Sequence, residues 1–212
     1  MAKNKLKKFA EYETFNNTFD ARAQLKGRWH SEVFGNNNPI TLELACGRGE
    51  YTVGLAALYP ERNFIGIDVK ASRMWQGAKY ATEQNMNNVS FLRIQIDFLA
   101  DYFEPGEISE IWITFPDPQP QKPRAKQRLT HPKFLSIYKS LLQDQGHVNL
   151  KTDSDLLYHY TLETAQTLDL KITQNIPDVY LSEPTAELQI QTYYERLWRE
   201  QGLRIKYLQF IP

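Results

Sequence analysis

Short apolar runs recur along the chain, and between them apolar residues repeat every three or four positions. Between residues 40 and 151 the runs predict five buried strands, at 40–46, 63–68, 89–94, 110–115 and 147–151. The intervening stretches predict helices at 50–59, 71–85, 98–102 and 132–142. Strand and helix therefore alternate, which is typical of a parallel sheet that has helices on both faces and its functional loops at the carboxyl ends of the strands.

The rest of the chain extends this sheet. It predicts a helix at 153–167, a strand at 170–175, a helix at 186–201 and a strand at 205–210, with the last two strands pairing at the sheet edge. The expected fold is α/β and Rossmann-like, with a mostly parallel seven-stranded sheet. Residues 1–30 are predicted to be a basic segment, helical or irregular and disordered in part, and residues 31–212 a single domain.

Composition narrows the class of protein. Hydrophobic residues make up 42% and charged residues 24% of the chain, which excludes a disordered, collagenous or membrane-spanning protein. No apolar run approaches the roughly 18 residues of a membrane span, and the first residues lack a signal peptide, so we expect a cytoplasmic protein without a membrane partner. The single cysteine, Cys46, excludes an internal disulfide, and the four histidines lack zinc-ligand spacing, so we expect no metal.

Charge is balanced overall but clustered locally. The 25 basic and 25 acidic residues cancel, which argues against a protein that binds nucleic acid through its total charge. The basic residues nevertheless form three groups in the sequence: Lys3, Lys5, Lys7 and Lys8; Arg22, Lys26 and Arg28; and Lys122, Arg124, Lys126 and Arg128. Local contacts with a polyanion are therefore compatible with the neutral total.

A buried strand runs into a glycine turn at 41–50. Gly47 and Gly49 allow the backbone to approach a ligand closely, as in folds that bind nucleotides at this place. The third glycine of the dinucleotide-binding pattern is missing, because Thr52 stands there. Glu43, at the strand end, is out of place beside a phosphate and suits a positively charged ligand, such as the amino group of a methionine moiety.

Two further acids end the next two strands. Asp68 can accept hydrogen bonds from both hydroxyls of a ribose, and Asp97 can accept one from an adenine amino group. Any one of these acids alone can be an ordinary helix N-cap, but three in order with two glycines favour a cofactor site. The arrangement resembles the Rossmann-like S-adenosylmethionine-dependent methyltransferases, except that Ala45 stands where many members have a glycine. The resemblance implies S-adenosylmethionine as cofactor, bound by Glu43, Gly47, Gly49, Asp68 and Asp97.

The fourth predicted strand ends in an acid between two prolines, Asp117. Prolines fix the backbone, so Asp117 would be rigidly presented at the carboxyl edge of the sheet, although the same residues can form an ordinary turn. The loop that follows is either a solvated loop or a phosphate clamp, and its position beside Asp117 favours the clamp. Its predicted RNA-binding residues are Lys122, Arg124, Lys126 and Arg128.

Four ordered motifs extend the resemblance: Phe-Pro-Asp-Pro at 115–118, the basic run through 130, Lys-Thr-Asp at 151–153, and 192–195. From about Lys26 onward the chain is similar to the bacterial tRNA (guanine-N7)-methyltransferases. That family resemblance implies methyl transfer to N7 of a guanine in tRNA, guanosine 46 of the variable loop. The sequence leaves the oligomeric state open between a monomer and a homodimer. The resemblance also implies that Asp117 is catalytic and that the substrate is contacted by Gln121, Asp153, Thr192, Tyr193, Tyr194 and Glu195. The chain departs from this family in the loop: Gln119 stands where bacterial members usually have Trp, and Gln121 stands where many have a substrate-contacting Lys. These differences put the detailed loop contacts in question.

The implied chemistry suits a site rich in acids. Guanine N7 carries an in-plane lone pair, so it can attack a sulfonium methyl group without a general base, and the product is a cationic purine. A carboxylate from Asp117 or Glu195 can accept hydrogen bonds from guanine N1 and the exocyclic amine, which orients N7 and stabilises the developing charge. The base would have to leave its stack, with basic residues holding the surrounding backbone.

Other functions compete with this one. An amino methyltransferase would show two adjacent prolines and an aromatic residue after the acid, which the sequence around Asp117 lacks. A non-catalytic RNA-binding module with a vestigial cofactor fold would have no reason to keep the acids and glycines, and a nicotinamide dehydrogenase would respond to NADH. Cys46 as a covalent nucleophile is disfavoured, because it lies in the cofactor turn and is expected to pack there.

Overall fold

The computed structural model describes residues 2–212, with side chains from Lys5 onward. The helices are α1 Ala2–Tyr12, α2 Glu50–Leu58, α3 Ala71–Glu83, α4 Pro132–Leu141, α5 Asp155–Thr167, α6 Ala186–Gln189 and α7 Tyr193–Glu200. The strands are β1 Thr18–Asp20, β2 Ile40–Leu44, β3 Asn63–Ile67, β4 Val89–Arg93, β5 Ile108–Thr114, β6 Leu142–Thr152, β7 Lys171–Ile176 and β8 Lys206–Ile211. No helix within the described residues is long and apolar enough to cross a membrane.

The strands form one sheet in the order β1-β4-β3-β2-β5-β6-β8-β7. Neighbours from β1 to β6 pair in parallel, and β8 runs antiparallel between β6 and β7. This confirms the predicted α/β class and the pairing of the last two strands at one edge. The predicted number of seven strands is wrong, because β1 pairs with β4 at the opposite edge. With three residues, all half-buried, β1 is too short to show an alternating pattern in the sequence.

Apolar side chains of the central strands alternate between two hydrophobic clusters. In β3, Ile65 and Ile67 belong to one cluster, whereas Phe64 belongs to the other. Helices α4 and α5 contribute to the first cluster and α2 and α3 to the second. Strands β2 and β3 are buried along their whole length, as expected of parallel strands covered on both faces. The predicted placement of helices on both faces is confirmed.

The first 30 residues contribute to both clusters. Helix α1 packs against α3, and the buried Tyr12 hydroxyl donates to the carbonyl of Phe91 at 3.4 Å. On the other face, the buried Trp29 ring stacks on Phe103 with centroids 5.4 Å apart, and its Nε1 donates to the carbonyl of Tyr102 at 2.9 Å. The hydrophobic core therefore extends to the N-terminal side of residue 31.

The helix predicted at 186–201 is in fact two helices, α6 and α7. The carbonyls of Leu188 and Ile190 accept hydrogen bonds from Lys151 Nζ, at 2.8 and 3.0 Å. Thr192 Oγ1 then accepts from the Glu195 amide at 3.1 Å and caps α7. A side chain from β6 thus interrupts the helix, which the periodicity of residues 186–201 does not reveal.

Candidate active site

Three residues with left-handed backbone conformation shape the turn between β2 and α2. The angle φ is +58° at Ala45, +55° at Gly47 and +71° at Gly49. A Cβ at Gly49 would lie 2.5 Å from the Phe91 ring, so both space and conformation require glycine there. Ala45 adopts this conformation with a Cβ present, at a cost of roughly 1–2 kcal/mol.

Asp68 follows β3 and is held by two backbone amides. Its Oδ2 accepts from Gly47 at 3.1 Å and its Oδ1 accepts from Lys70 at 2.9 Å, and only 9% of the residue is exposed. The carboxylate is therefore fixed between the glycine turn and α3. Its remaining lone pairs are available to hydroxyl donors such as those of a ribose.

Glu43 is buried at the end of β2, with 3% exposed. Its Oε1 accepts from the Thr114 hydroxyl at 2.6 Å, and its Oε2 accepts from the amide of Thr52 at 2.7 Å and from the hydroxyl of the same residue. Burial raises the pKa of Glu43 to about 7, and the hydrogen bonds from Thr114 and Thr52 oppose that rise. A cation bound beside this carboxylate would lower its pKa again.

A cavity of about 610 Å³ opens where β2, β3 and β4 end. The predicted cofactor acids Asp68 and Asp97 both line it, together with apolar side chains, a combination that fits an adenosine. These apolar residues are Val69, Ile94, Ile96, Leu129 and Phe134. Asp97 also forms an ion pair with Lys133, with Oδ1 and Nζ 2.7 Å apart, and both side chains are nearly half exposed. An adenine amino group would therefore share the Asp97 carboxylate with Lys133.

Asp117 is exposed in the turn that leaves β5. Its Oδ1 accepts from the Gln119 amide at 3.0 Å. Positive φ angles at Phe115 and Gln119, +49° and +46°, define the turn on both sides of the acid. Because Gln119 lines the 610 Å³ cavity, the Asp117 carboxylate lies beside that cavity and open to solvent.

The loop after Asp117 forms a short 3₁₀ helix, Lys122–Gln127. Gln121 is exposed and immediately precedes it. Three of the four predicted RNA-binding cations, Lys122, Arg124 and Lys126, are exposed on this helix, and Lys126 also lines the cavity. Positive charge is thus concentrated beside Asp117.

Arg128 differs from these three residues, and the prediction that it clamps a phosphate needs correction. Only 7% of it is exposed. Its guanidinium donates to the carbonyls of Pro118 and Gln119, both at 3.1 Å, and lies 4.4 Å from the centre of the Tyr160 ring. Because its donors already bind the turn that carries Asp117, Arg128 positions the turn instead of reaching RNA.

Residues 192–194 lie against the glycine turn. The Tyr193 amide donates to Glu50 Oε2 at 2.8 Å, and the Arg48 guanidinium lies 4.0 Å over the Tyr193 ring. Tyr193 and Tyr194 are each 42% exposed, and their rings meet edge to face with centroids 5.4 Å apart. Both rings are available for stacking with a base.

Glu195, in contrast, is fully buried against Lys151, which is also fully buried. The Lys151 Nζ lies 2.8 Å from Glu195 Oε1, and the Tyr180 hydroxyl donates to the same oxygen at 2.7 Å. Burial lowers the pKa of Lys151, and the charge of Glu195 opposes this effect. The predicted bonds from Glu195 to guanine are not available in this arrangement, because they would leave Lys151 as an unpaired buried cation.

Asp153 is better placed for the predicted substrate contact. It directly follows β6, and desolvation raises the pKa of its half-buried carboxyl. The neighbouring Lys206 donates to the backbone carbonyl of Asp153 at 2.8 Å and pairs with the carboxylate of Asp155 at 2.7 Å. Among residues 5–212, no side chain donates a hydrogen bond to the Asp153 carboxylate, which can therefore accept from a substrate.

Comparison with known proteins decides the family. A family model described as a putative methyltransferase matches residues 37–208. A tRNA (guanine-N(7)-)-methyltransferase of Bacteroides thetaiotaomicron is 44% identical and covers 99% of this chain and 86% of its own length. A tRNA (guanine-N(7)-)-methyltransferase of Porphyromonas gingivalis is 50% identical and covers 88% of this chain and 76% of its own length. The chain belongs to the tRNA (guanine-N7)-methyltransferase family.

The family assignment inferred from the sequence motifs is thereby confirmed, and the fold agrees with it. A solved structure of the 16S rRNA methyltransferase KamB superposes with a TM-score of 0.66 and covers 86% of this chain and 91% of its own, at 11% identity. A likeness at this identity shows the fold alone. It confirms the Rossmann-like methyltransferase architecture of this family member.

Two residues that organise the site of this methyltransferase were not identified as such from the sequence. Lys151 carries a partial signal, since it opens the Lys-Thr-Asp motif at the end of a predicted strand, but the signal does not name its partner. Arg128 carries none, because it ends a run of exposed basic residues. Burial raises the pKa of the Cys46 thiol, which keeps it protonated and agrees with a packing role.

Proposed function

We propose that this family member transfers the methyl group of S-adenosylmethionine to N7 of a guanine in tRNA, guanosine 46 of the variable loop, giving 7-methylguanosine. The observation that carries the proposal is the exposed Asp117 carboxylate, fixed by its own turn beside a cavity with the size and lining for an adenosine. Relatives named for this reaction, 43–50% identical over most of their length, support it.

Of the three predicted cofactor acids, Asp68 and Asp97 line the cavity, whereas Glu43 is buried outside its lining. Asp68 presents free lone pairs for the ribose, Asp97 for the adenine amino group, and Glu43 is a buried carboxylate near the turn whose pKa of about 7 would fall beside the amino group of a methionine moiety. When bound, S-adenosylmethionine supplies an electrophilic methyl group on its sulfonium. The chain then has to present guanine N7 in line with that methyl group.

Asp117 performs this presentation in the proposed mechanism. Its carboxylate accepts hydrogen bonds from guanine N1 and the exocyclic amine, which fixes the plane of the base. The N7 lone pair needs no deprotonation, so the acid acts through orientation and through its negative charge, which stabilises the cationic purine as it forms. Tyr193 and Tyr194 offer stacking surfaces for displaced bases, and Lys122, Arg124 and Lys126 offer phosphate contacts.

The test uses an unmodified tRNA transcript, labelled cofactor and nucleoside analysis of the product. We expect the label in 7-methylguanosine, located at position 46 by cleavage of the RNA at the modified base. Label in an N2-methylated guanosine or an adenosine derivative would refute the N7 assignment. Recovery of 7-methylguanosine at another guanosine would refute only the choice of position 46.

A variant pair tests the role of Asp117. Asp117→Asn keeps the shape of the side chain and removes its charge, so we expect kcat to fall by about 10²–10³ while cofactor affinity stays within about twofold. Asp144→Asn is the matched control, because Asp144 is exposed in β6 on the side away from the strand's carboxyl end. Full activity in Asp117→Asn would remove the catalytic role of this residue.

A further inference from the structure

A second cavity, of about 430 Å³, borders the glycine turn where α1 and α3 come close to it. Three cations from three different elements line it: Lys8 of α1, Arg48 of the turn and Arg73 of α3. Among residues 5–212, no acidic side chain lines it. In a chain whose 25 basic and 25 acidic residues cancel, this is a marked local excess of positive charge.

Two of the three cations are held in place by aromatic rings, and none of the three is neutralised by an acid of the described residues. The Lys8 Nζ lies 4.3 Å from the centre of the Trp75 ring, and the Arg48 guanidinium lies 4.0 Å from that of Tyr193. Such contacts orient a cation while leaving its N–H donors free. Among residues 5–212, neither these two residues nor Arg73 takes part in an ion pair. The cavity is therefore prepared for an anion that comes from outside the chain.

The cavity also adjoins the proposed reaction site. Gly47 lines it, and the amide of the same residue donates to Asp68, which lines the 610 Å³ cavity. Tyr194, half-exposed, lines it as well. Unneutralised cations beside an aromatic ring are the usual means of binding single-stranded RNA, since the cations hold the phosphates and the ring stacks with a base.

We propose that the cavity lined by Lys8, Arg48 and Arg73 binds a backbone phosphate of the tRNA next to the methylated nucleotide, with a neighbouring base on Tyr194. This inference rests on the proposed function. A nucleotide displaced from its stack keeps a phosphate on each side. The exposed cations at 122–126 bind the tRNA backbone on the Asp117 side of the cofactor site. The 430 Å³ cavity binds the backbone phosphate on the side of the glycine turn.

The test is the double variant Lys8→Gln, Arg73→Gln, with Lys171→Gln as control. Lys171 is an exposed cation at the start of the edge strand β7. It pairs with Ile211 at the end of β8, whereas the carboxyl end of β6 pairs with Lys206 at the start of β8. Binding of a fluorescent tRNA is measured by anisotropy over a range of salt concentrations. Binding of S-adenosylmethionine is measured separately by calorimetry.

We expect the double variant to bind tRNA roughly tenfold more weakly, and the slope of log K against log salt to fall by about 0.7, the value for one lost phosphate contact. The cofactor affinity and the Lys171→Gln control should equal wild type. Unchanged tRNA binding would refute the inference. Weaker cofactor binding with unchanged tRNA binding would also refute it and would assign the cavity to the carboxylate of the cofactor. A wild-type protein that binds no tRNA would instead refute the proposed function.

Discussion

Replacing Lys151 by Met tests whether the buried ion pair holds the segment between α6 and α7 in place. The Nζ of Lys151 donates to Leu188 and Ile190 carbonyls and to the Glu195 carboxylate, all within 3.0 Å, and both charged side chains are inaccessible to solvent. Methionine has a similar length but none of these donors. Of the side-chain partners that the described residues give the Glu195 carboxylate, the substitution therefore leaves Tyr180 alone.

The expected loss of stability follows from this burial. Removing one partner of a buried ion pair costs about 3–5 kcal/mol, because the remaining charge is uncompensated. For a chain of this size each kcal/mol lowers Tm by roughly 2–4 °C, so Lys151→Met should melt roughly 6–20 °C below wild type. Urea unfolding at pH 7, followed by far-ultraviolet circular dichroism, measures the free energy directly.

A second variant separates loss of the pair from loss of packing. Lys151→Met with Glu195→Leu removes both charges, and we expect it to recover at least half of the lost stability, since an apolar pair often replaces a buried ion pair without cost. Lys171→Met, at an exposed position of β7, should stay within about 0.5 kcal/mol of wild type. The reasoning is refuted if Lys151→Met loses less than about 1 kcal/mol, or if adding Glu195→Leu deepens the loss.

Two further predictions concern the active site. Arg128→Lys removes the paired donors to the Pro118 and Gln119 carbonyls, so kcat should fall by about 10²-fold as the Asp117 turn loosens. The slope of log K against log salt for tRNA binding should stay unchanged. A slope reduced by about 0.7 would show instead that Arg128 contacts a phosphate. Since the pKa of Glu43 is raised to about 7, pairing it with a cationic ligand should release a proton near neutral pH. Cofactor affinity should then rise about tenfold per pH unit up to pH 7 and level off above it. Calorimetry in buffers of different ionisation enthalpy measures the number of protons released on binding. Equal proton release by wild type and Glu43→Gln would contradict this assignment.

Patterns within single elements explain how much of the fold could be predicted. β2 and β3 are continuous apolar runs followed by a glycine turn or an acid, so both their existence and the site at their ends follow from local sequence. β1 was missed because three half-buried residues gain their strand conformation from β4, a partner 73 residues away. Pairing at that distance leaves no periodicity in the sequence.

The site shows the same division between local and distant causes. The turn around Asp117 is set by adjacent prolines and by a bond to the Gln119 amide two residues on, so its presentation could be predicted. The burial of Glu195 could not, because it depends on Lys151, 44 residues earlier in the chain. Both residues stand in family motifs, but a motif does not state whether a carboxylate faces the substrate or the core.

The neutral net charge and a polyanionic substrate are compatible because buried and exposed charges act differently on an incoming tRNA. Glu43 and Glu195 count fully in the formal balance, yet the first is buried with a pKa of about 7 and the second is paired with Lys151. The cations at 122–126 and around the 430 Å³ cavity are at the surface, and no acid in the described part of the chain lines that cavity. The field that a tRNA meets near Asp117 is therefore more positive than the sequence total indicates, and the salt dependence of binding should follow these local cations rather than the net charge.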